Sequence, residues 1–333
     1  MTRPIDAPPR RATLTRIAAL AVGAVVLATA AMAAAQSGDR AVKIILPVAT
    51  ASGVDTITRA SQQALSKALG HPIVVENQPG AGGIVGTAAM VRSPPDGFTL
   101  SIVSNNHVIY PAVYKSVPFD PIADITPIAV IGTTPIVLVI NPKVPAKNAQ
   151  ELIALLKAKP GAYNYGSSGN GTILHLAAEM FMDEAGVKAT HVPYKGVGPM
   201  LTDLIGGQVE IGALSLPSVQ QHLKSGALRA IGTGTTTRLA AAPDIPTMTE
   251  QGLPGYVVEG WFAIIGPAKM QPADVKRINE AVRTAFADPE VREAMAKQGN
   301  TINVSTPEYA AQFFPAEKAK YAKLVQKAGL ELQ

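Results

Sequence analysis

Short apolar runs alternate along the chain with longer segments in which apolar residues recur at helical spacing. Val42–Pro47 and Thr99–Val103 are almost continuously apolar, which is typical of buried strands. Between them the pattern predicts a helix from Asp55 to Leu69, ended by Gly70. The alternation of strand and helix continues to the C-terminal region. It therefore predicts an α/β fold built from doubly wound sheets.

Two strong strand signals suggest how this fold is divided. Ile136–Ile140 precedes Pro142, and Trp261–Ile265 is a strand that can return the chain to the first domain. The segment between these strands contains its own alternation of strands and helices. We therefore expect two α/β domains joined by crossing strands, with residues 40–139 plus 259–333 in domain 1 and residues 140–258 in domain 2.

Prolines and glycines predict two local breaks. Ile128–Ile131 and Ile136–Ile140 are expected to be separate strands. The last helix should begin at Ser305–Glu308, which carries both an N-cap and a proline signal. Pro315 is expected to kink or split that helix, because proline removes a helical hydrogen bond.

The first 35 residues have the pattern of a signal peptide. Four arginines precede an uncharged stretch from Ile17 to Gly38, and Ala33–Ala35 form a small-x-small cleavage pattern. We expect export, cleavage before Gln36 and a periplasmic mature protein. An uncleaved membrane anchor is the alternative, since the stretch is long enough to span a bilayer. The pattern does not distinguish the general from the twin-arginine export route.

Charge and cysteine content narrow the function. The whole chain carries 29 basic and 24 acidic residues, or +5, and residues 1–35 hold four Arg and one Asp, or +3, which leaves +2 for the mature protein. No basic stripe with interleaved aromatic residues indicates nucleic-acid binding. The chain has no cysteine, which excludes disulfides, a catalytic thiol and thiolate metal sites.

A glycine-rich loop between a strand and a helix is the strongest candidate for a binding site. The strand ends at Tyr165, Gly166–Gly171 follow, and Thr172 is placed to cap a helix over Ile173–Ala185. Such a loop directs backbone N–H groups and the positive end of the helix dipole at a ligand. A loop of ordinary turn residues is the alternative explanation. Ser104–His107 form a second polar cluster, at the carboxyl end of another strand.

Catalytic patterns are absent from the sequence. Thr172 stands where a P-loop has lysine, and Gly-Ser-Ser-Gly-Asn lacks the closing glycine of a nucleophile elbow. The five histidines are scattered and show no zinc-ligand spacing. We therefore predict a binding protein without catalytic residues, metal or cofactor. A serine hydrolase using Ser167 or Ser168 with His175 is the enzymatic alternative, although His175 is also a typical packed or capping residue.

Several ordered motifs resemble those of one family, the Bug/TctC solute receptors of tripartite tricarboxylate transporters. The resemblance covers essentially all of Val42–Leu330. Its motifs are Val75–Gly83 (Val-Glu-Asn-Gln-Pro-Gly-Ala-Gly-Gly), Pro95–Leu100 (Pro-Asp-Gly-Phe-Thr-Leu), Tyr165–Thr172 with His175, His191–Gly196 (His-Val-Pro-Tyr-Lys-Gly), Asp203–Gln208 (Asp-Leu-Ile-Gly-Gly-Gln), Pro243–Thr247 (Pro-Asp-Ile-Pro-Thr) and Glu250-x-Gly252.

The resemblance implies an architecture like that of periplasmic binding proteins. It also implies a monomeric receptor that closes two domains around a small carboxylate and delivers it to membrane transporter subunits. A sensor feeding a signalling system would use the same binding chemistry and is the alternative function. The ligand-binding residues implied are Thr50, Ala51, Ser52, Asp55, Ser104, Asn105, His107, Ser167, Ser168, Gly169, Asn170, Thr172, Tyr194 and Lys195. For Lys195, a solvated loop charge is the alternative.

One motif departs from the family pattern. The first ligand loop usually reads Pro-Phe-x-x-Gly-Gly-x-x-Asp, whereas Pro47–Asp55 has Ala51 and Ser52 in place of the two glycines. The identity of the carboxylate therefore cannot be transferred from a relative. Asp55 matches the motif, but an acidic residue in a first helical turn is also explained by the helix dipole.

Overall fold

The computed structural model describes residues 40–330 and Leu332. The predicted signal peptide, residues 1–35, lies outside them. The strands are β1 (Val42–Leu46), β2 (Ile73–Asn77), β3 (Thr99–Ser104), β4 (Ile125–Ile140), β5 (Asn164–Ser167), β6 (Thr190–Pro193), β7 (Ile211–Ser215), β8 (Arg229–Thr233), β9 (Glu259–Pro267) and β10 (Thr301–Ile302). The helices are α1 (Gly53–Leu69), α2 (Ile84–Val91), α3 (Asn106–Val113), α4 (Ala149–Ala158), α5 (Ile173–Ala185), α6 (Val197–Gly206), α7 (Leu216–Lys224), α8 (Pro272–Ala287), α9 (Pro289–Lys297) and α10 (Pro307–Lys327).

The strands pair in the order β2-β1-β3-β9-β4-β7-β5-β6, with β8 and β10 also paired to β4. Strand β1 is parallel to β2 and β3, and β5 is parallel to β6 and β7. Strand β9 is antiparallel to both β3 and β4, and β4 is antiparallel to β7. The predicted α/β class is therefore confirmed, as a mixed sheet in which parallel units flank an antiparallel centre.

Strand β4 connects the two ends of this arrangement. From Ile125 to Pro135 it pairs with β9, and from Ile136 to Ile140 it pairs with β7. We call the part built on β1, β2, β3, β9, β10 and the first section of β4 the first lobe. The part built on β5 to β8 and the last section of β4 is the second lobe. The β4 backbone thus passes directly from one lobe into the other.

Two local predictions were wrong. The segment Gly132–Pro135 does not end a strand, because it pairs with β9 in regular register, and the register shifts of β4 lie earlier, between Pro127 and Gly132. Helix α10 is a single helix through Pro315. Pro315 is solvent-exposed, while the neighbouring Phe314 is fully buried and its ring lies 5.6 Å from that of Trp261. Tertiary packing on both sides of the proline holds the helix in place.

We propose that the two lobes correspond to the discontinuous domains expected from the sequence. Support comes from a buried apolar cluster in the first lobe that draws on residues 42–131 and 262–304 of the described chain. It joins the start of the chain to its C-terminal third. The middle of the chain builds the second lobe around β5 and β7, whose cluster also extends into the first lobe.

The close pairing of β10 with β4 predicts that stability responds strongly to one added methyl group. A Cβ at Gly132 would overlap the carbonyl oxygen of Thr301 on β10, and backbone cannot move aside cheaply. We expect Gly132→Ala to lower the free energy of unfolding by about 1–3 kcal/mol. Urea unfolding of both variants measures this effect. Gly206→Ala is the matched control, because no atom lies within 4 Å of its Cβ position and alanine should stabilise the helix. Equal stability of the two variants would contradict this account of the contact between Gly132 and β10.

Candidate functional site

A cleft of about 530 Å³ lies between the lobes, at the carboxyl ends of β1, β5 and β6. Seven of the sequence-predicted residues line it: Ser52, Ser168, Gly169, Asn170, Thr172, Tyr194 and Lys195. The remaining lining residues are Pro47, Val48, Ala49, Pro79, Gly80, Ala81, Gly82, Gly83, Asn106, Tyr114, Pro193, Gly196 and Val197. Lys195 is the one charged side chain among these residues, so the cleft favours an anion.

Apart from the predicted residues and their neighbours in sequence, the lining contains the glycine loop Pro79–Gly83 and Tyr114, while Asn106 lies within the predicted cluster Ser104–His107. Pro79–Gly83 belongs to a glycine loop that matched the family motif but lacked the dinucleotide fingerprint. Asn106 and Tyr114 lie at the two ends of α3. The Tyr114 hydroxyl donates to the carbonyl of Asn170 at 3.4 Å and so reaches from the first lobe to the second. The family motif Val75–Gly83 was a signal that could have indicated the glycine loop as part of the site. Nothing in the local sequence indicates the contacts that cross the cleft.

Ser52 and Asp55 cap the start of α1. The Ser52 hydroxyl accepts the N–H of Asp55 at 3.2 Å, and Asp55 Oδ2 accepts the N–H of Ala51 at 3.1 Å. Asp55 Oδ1 accepts hydrogen bonds from Arg59 Nε at 2.9 Å and Asn77 Nδ2 at 3.0 Å. Asp55 is buried and does not line the cleft, so it holds the loop in shape.

The two residues that replace the family glycines have different backbone conformations. Ala51 has a φ of 64°, in the left-handed region that glycine occupies more easily, whereas Ser52 is extended. Ala51 and Thr50 are exposed and lie outside the cleft lining, and Ser52 is buried at its edge. The departure from the motif therefore places one hydroxyl at the cleft and puts Ala51 in a backbone conformation that glycine adopts more easily.

The start of α5 is already hydrogen-bonded by the protein. Thr172 Oγ1 accepts the N–H of His175 at 3.4 Å, which confirms the predicted cap. Asn106 Oδ1, from the first lobe, accepts the N–H of Ile173 at 2.9 Å. The N–H of Gly171 donates to Nδ1 of His175 at 3.0 Å. Ser168, Gly169, Asn170 and Thr172 therefore form a wall of the cleft, and the N–H groups of Gly169, Gly171 and Thr172 have partners within the chain.

The start of helix α6 differs from that of α5 in its capping. Its N-cap is Gly196, and no side chain of the described residues caps it. Gly196 and Val197 line the cleft, and Lys195 directly precedes them. The first N–H groups of a helix have no intrahelical partner and carry the positive end of its dipole. The start of α6 is thus an uncapped, electropositive wall of the cleft.

A chain of hydrogen bonds supports the loop that follows β5. Because His175 Nδ1 accepts from Gly171, its Nε2 carries the proton and donates to the Tyr165 hydroxyl oxygen at 3.1 Å. Tyr165 in turn donates to Glu179. The ring of His191 stacks on His175 at a centroid distance of 3.8 Å. Burial, with a smaller contribution from His175, lowers the pKa of His191 to about 4, so this ring is neutral at neutral pH.

This network decides against the hydrolase alternative. Ser167 Oγ lies 2.7 Å from Nε2 of His191, and not next to His175. Ser167 is fully buried, is also bonded to Gly169, and does not line the cleft. Ser168 donates its hydroxyl to Thr172 at 3.1 Å. Neither serine is placed as a nucleophile, and both shape the loop.

The polar cluster after β3 divides between three locations. His107 is buried in the core, where its Nε2 lies 2.7 Å from the Pro121 carbonyl and its ring meets Phe314 edge-on at 5.6 Å. It does not contact the cleft. Asn105 Oδ1 accepts the N–H of Trp261 at 2.9 Å. Ser104 and Asn105 border a smaller cavity deeper between the lobes, and Asn106 lines both.

Neither a metal-binding cluster nor a membrane-spanning helix is present in the part of the chain that the structure describes. Between residues 40 and 330, no three His, Asp or Glu side chains are grouped as a metal site would require. Over the same residues, none of the helices has the length and apolar character needed to cross a bilayer.

The fold and the cleft can now be compared with known proteins. Residues 57–330 match the family model described as tripartite tricarboxylate transporter family receptor. The chain belongs to this family. It is 34% identical over 320 residues to protein BugT of Bordetella pertussis, covering 94% of this chain and 98% of BugT. The members of the family are solute receptors and not enzymes.

Two solved structures of similar proteins contain acids. A protein of R. palustris with adipate is 28% identical, with a TM-score of 0.85 over 88% of this chain and 99% of that chain. The MatC protein of Rhodopseudomonas palustris with bound malate is 27% identical, with a TM-score of 0.81 over 86% of this chain and 99% of that chain. The predicted periplasmic-binding-protein architecture is thereby confirmed.

The buried histidines predict the direction of the pH dependence of stability. Burial lowers the pKa of His107 from 6.5 to about 4. Below pH 6.5 the His107 ring becomes protonated in the unfolded chain, whereas in the folded chain it stays neutral down to about pH 4. The contribution of His107 to the free energy of unfolding should therefore be fully present above pH 6.5. It should fall by about 3 kcal/mol as the pH decreases to 4. His191 adds a smaller effect of the same sign.

Unfolding free energies of His107→Gln, measured across this pH range, test the assignment. Glutamine can still donate to Pro121 but does not titrate, so we expect a flatter pH profile. His222→Gln, in a residue that is not fully buried, is the control and should leave the profile unchanged. An unchanged slope in His107→Gln would show that other groups cause the acid sensitivity.

Proposed function

We propose that this receptor captures a small carboxylate in the cleft between its lobes and delivers it to membrane subunits of a tripartite tricarboxylate transporter. The observation that carries the proposal is the electrostatic character of the lining. It combines Lys195 with the uncapped start of α6, and none of the lining residues is acidic. A carboxylate is favoured there by both the helix dipole and the ammonium group.

The ligand is held mainly by hydrogen bonds. Hydrogen bonds to charged groups contribute roughly 1.5–3 kcal/mol each, so a few N–H groups and hydroxyls provide micromolar affinity. Lys195 is exposed, and its ion pair with the ligand is screened by water. The amine therefore assists binding without dominating it. Bridging waters complete the contacts of the carboxylate oxygens.

Close contacts between the lobes support capture by closure. A Cβ on Gly196 would lie 2.6 Å from that of Ala49, and one on Gly53 would lie 2.6 Å from Ser215 Oγ. Glycine at these positions lets the lobes approach closely around a ligand. Opening requires bending at the crossing strands, which is the hinge motion of two-domain receptors. Adipate and malate, held by the structural neighbours, are the first candidate ligands.

Thermal shift against mono-, di- and tricarboxylates and aromatic acids tests the proposal. An acid present at about a hundred times its Kd should stabilise the protein by roughly 2.7 kcal/mol. Lys195→Met should weaken binding of that acid by roughly two- to fivefold. Lys188→Met, which removes an exposed lysine outside the cleft, is the control and should have no effect. The proposal fails if no acid shifts the melting temperature. Complete loss of binding in Lys195→Met would instead show that the Lys195 amine supplies most of the binding free energy.

The family role supports a periplasmic location, and we infer that the signal peptide is removed on export. We expect the mature chain to begin near Gln36, following the Ala33–Ala35 pattern. Intact mass spectrometry of the protein from a periplasmic extract measures its N-terminus directly. Recovery of uncleaved protein in the membrane fraction would support an anchored receptor instead.

A further inference from the structure

Helix α3 of the first lobe lies against the loop that begins α5 in the second lobe. Asn106 is the first residue of α3, and Tyr114 directly follows its last residue. Both side chains line the cleft, and both form hydrogen bonds with the second lobe. Polar groups of the protein itself therefore bridge the cleft at two points, about two helical turns apart.

The amide of Asn106 joins the two walls of the cleft. Its Oδ1 accepts the N–H of Ile173 at 2.9 Å, and its Nδ2 donates to the carbonyl of Gly82 at 3.3 Å. A backbone N–H can only donate and a backbone carbonyl can only accept, so the two contacts together fix the orientation of the amide. This one side chain thus connects the glycine loop Pro79–Gly83 of the first lobe to the start of α5 in the second lobe.

The bond between Asn106 and Ile173 can form only while the lobes are close together. Ile173 is the first residue of α5, and the N–H groups of a first helical turn have no partner inside their own helix. Asn106 therefore caps α5 from the opposite lobe. When the lobes separate, the N–H and the amide oxygen both turn to water. The exchange gives the closed state a small net advantage.

Two contacts at the other end of α3 involve the same loop. The Tyr114 hydroxyl donates to the carbonyl of Asn170 at 3.4 Å, a longer and weaker bond. A Cβ on Gly171 would overlap the side chain of Val113, so α3 packs directly on the loop there. Val113 is buried and belongs to the same apolar cluster as Ile173. Asn106, Val113 and Tyr114 are called the clasp below.

We propose that the clasp holds the two lobes together, with Asn106 as its main positioning residue and Tyr114 as a weaker second one. The clasp consists of protein groups alone, so it favours closure whichever solute is bound. The inference rests on the proposed function only for the nature of that solute. A solute then completes an equilibrium that the protein already biases toward the closed state.

The distance between two spin labels measures closure in the protein without ligand. The chain has no cysteine, so Val85→Cys and Thr202→Cys provide two unique labelling sites. Both positions are exposed, the first on α2 in the first lobe and the second on α6 in the second lobe. Pulsed electron paramagnetic resonance resolves a shorter distance for the closed state and a longer distance for the open state.

Three substitutions in this labelled background separate contacts across the cleft from contacts within one lobe. Asn106→Ala removes the amide, and Tyr114→Phe removes the hydroxyl that reaches Asn170. Tyr110→Phe is the matched control for Tyr114→Phe. It removes the same atom from the same helix, but that hydroxyl bonds to the carbonyl of Gly82 within the first lobe.

We expect the parent to populate the short distance. Asn106→Ala should lower the ratio of the short to the long distance by roughly 2- to 12-fold, the effect of one neutral hydrogen bond. Tyr114→Phe should lower the ratio by less, because its bond is longer. Tyr110→Phe should leave the ratio unchanged. An equal effect of the two tyrosine variants would show that neither hydroxyl acts across the cleft.

A second background tests whether Asn106 acts through Ile173. Ile173→Pro deletes the N–H that Asn106 accepts, and proline is well tolerated at the first position of a helix. Adding Asn106→Ala to Ile173→Pro should change the distance ratio little. If Asn106→Ala has the same effect with and without Ile173→Pro, Asn106 acts only within the first lobe and the inference fails. If Ile173→Pro does not fold, the tyrosine comparison decides.

Two further results would overturn the clasp. One is the same distance distribution in the parent, Asn106→Ala and Tyr114→Phe, which would make α3 a fixed part of the hinge. The other is a parent that shows only the long distance. Both are obtained without ligand, so they do not depend on which acid binds. Failure of every acid to shift the melting temperature would count against the proposed function and leave the clasp standing.

Discussion

The fold depends on a continuous hydrogen-bonded ladder between β4 and its two partners. Strand β9 pairs with β4 through Pro135, and β7 takes over at Ile136. The loops of the cleft follow β1, β2, β5 and β6, and these strands join the ladder through β3 on one side and β7 on the other. The carboxyl ends of β1, β3, β5 and β7 consequently open toward the same space. A ligand site between two halves follows from this topology, as it does in other open α/β sheets.

Helix capping determines which wall of the cleft can hold an anion. The starts of α1 and α5 carry side-chain caps from Ser52 and Thr172, and Asn106 takes a further N–H of α5 from across the cleft. Helix α6 begins at a glycine without such a cap. The available positive potential is therefore concentrated at α6. The sequence-based expectation was different, because it took the loop Gly166–Gly171 before α5 as the strongest candidate for a binding site.

Local signals in the sequence predicted local features of the structure. Gly70 and Gly186 end helices in the left-handed conformation, and Thr172 caps α5, all as expected from their positions. Strand β4 and helix α10 were predicted less well because tertiary pairing and packing override Pro135 and Pro315. The contacts of Asn106 and Tyr114 join segments far apart in sequence. No periodicity or motif could reveal them, and His107 looked like a site residue only because it follows a strand end.

The central claim is that a carboxylate is held in the cleft at the start of α6. A crystal structure of the protein grown with the acid that binds most tightly tests it most directly. The account predicts one carboxylate within hydrogen-bonding distance of the Val197 or Gly198 N–H groups, with the lobes closed around the ligand. An acid bound outside the cleft, or one inside it that makes no contact with α6, would contradict the account.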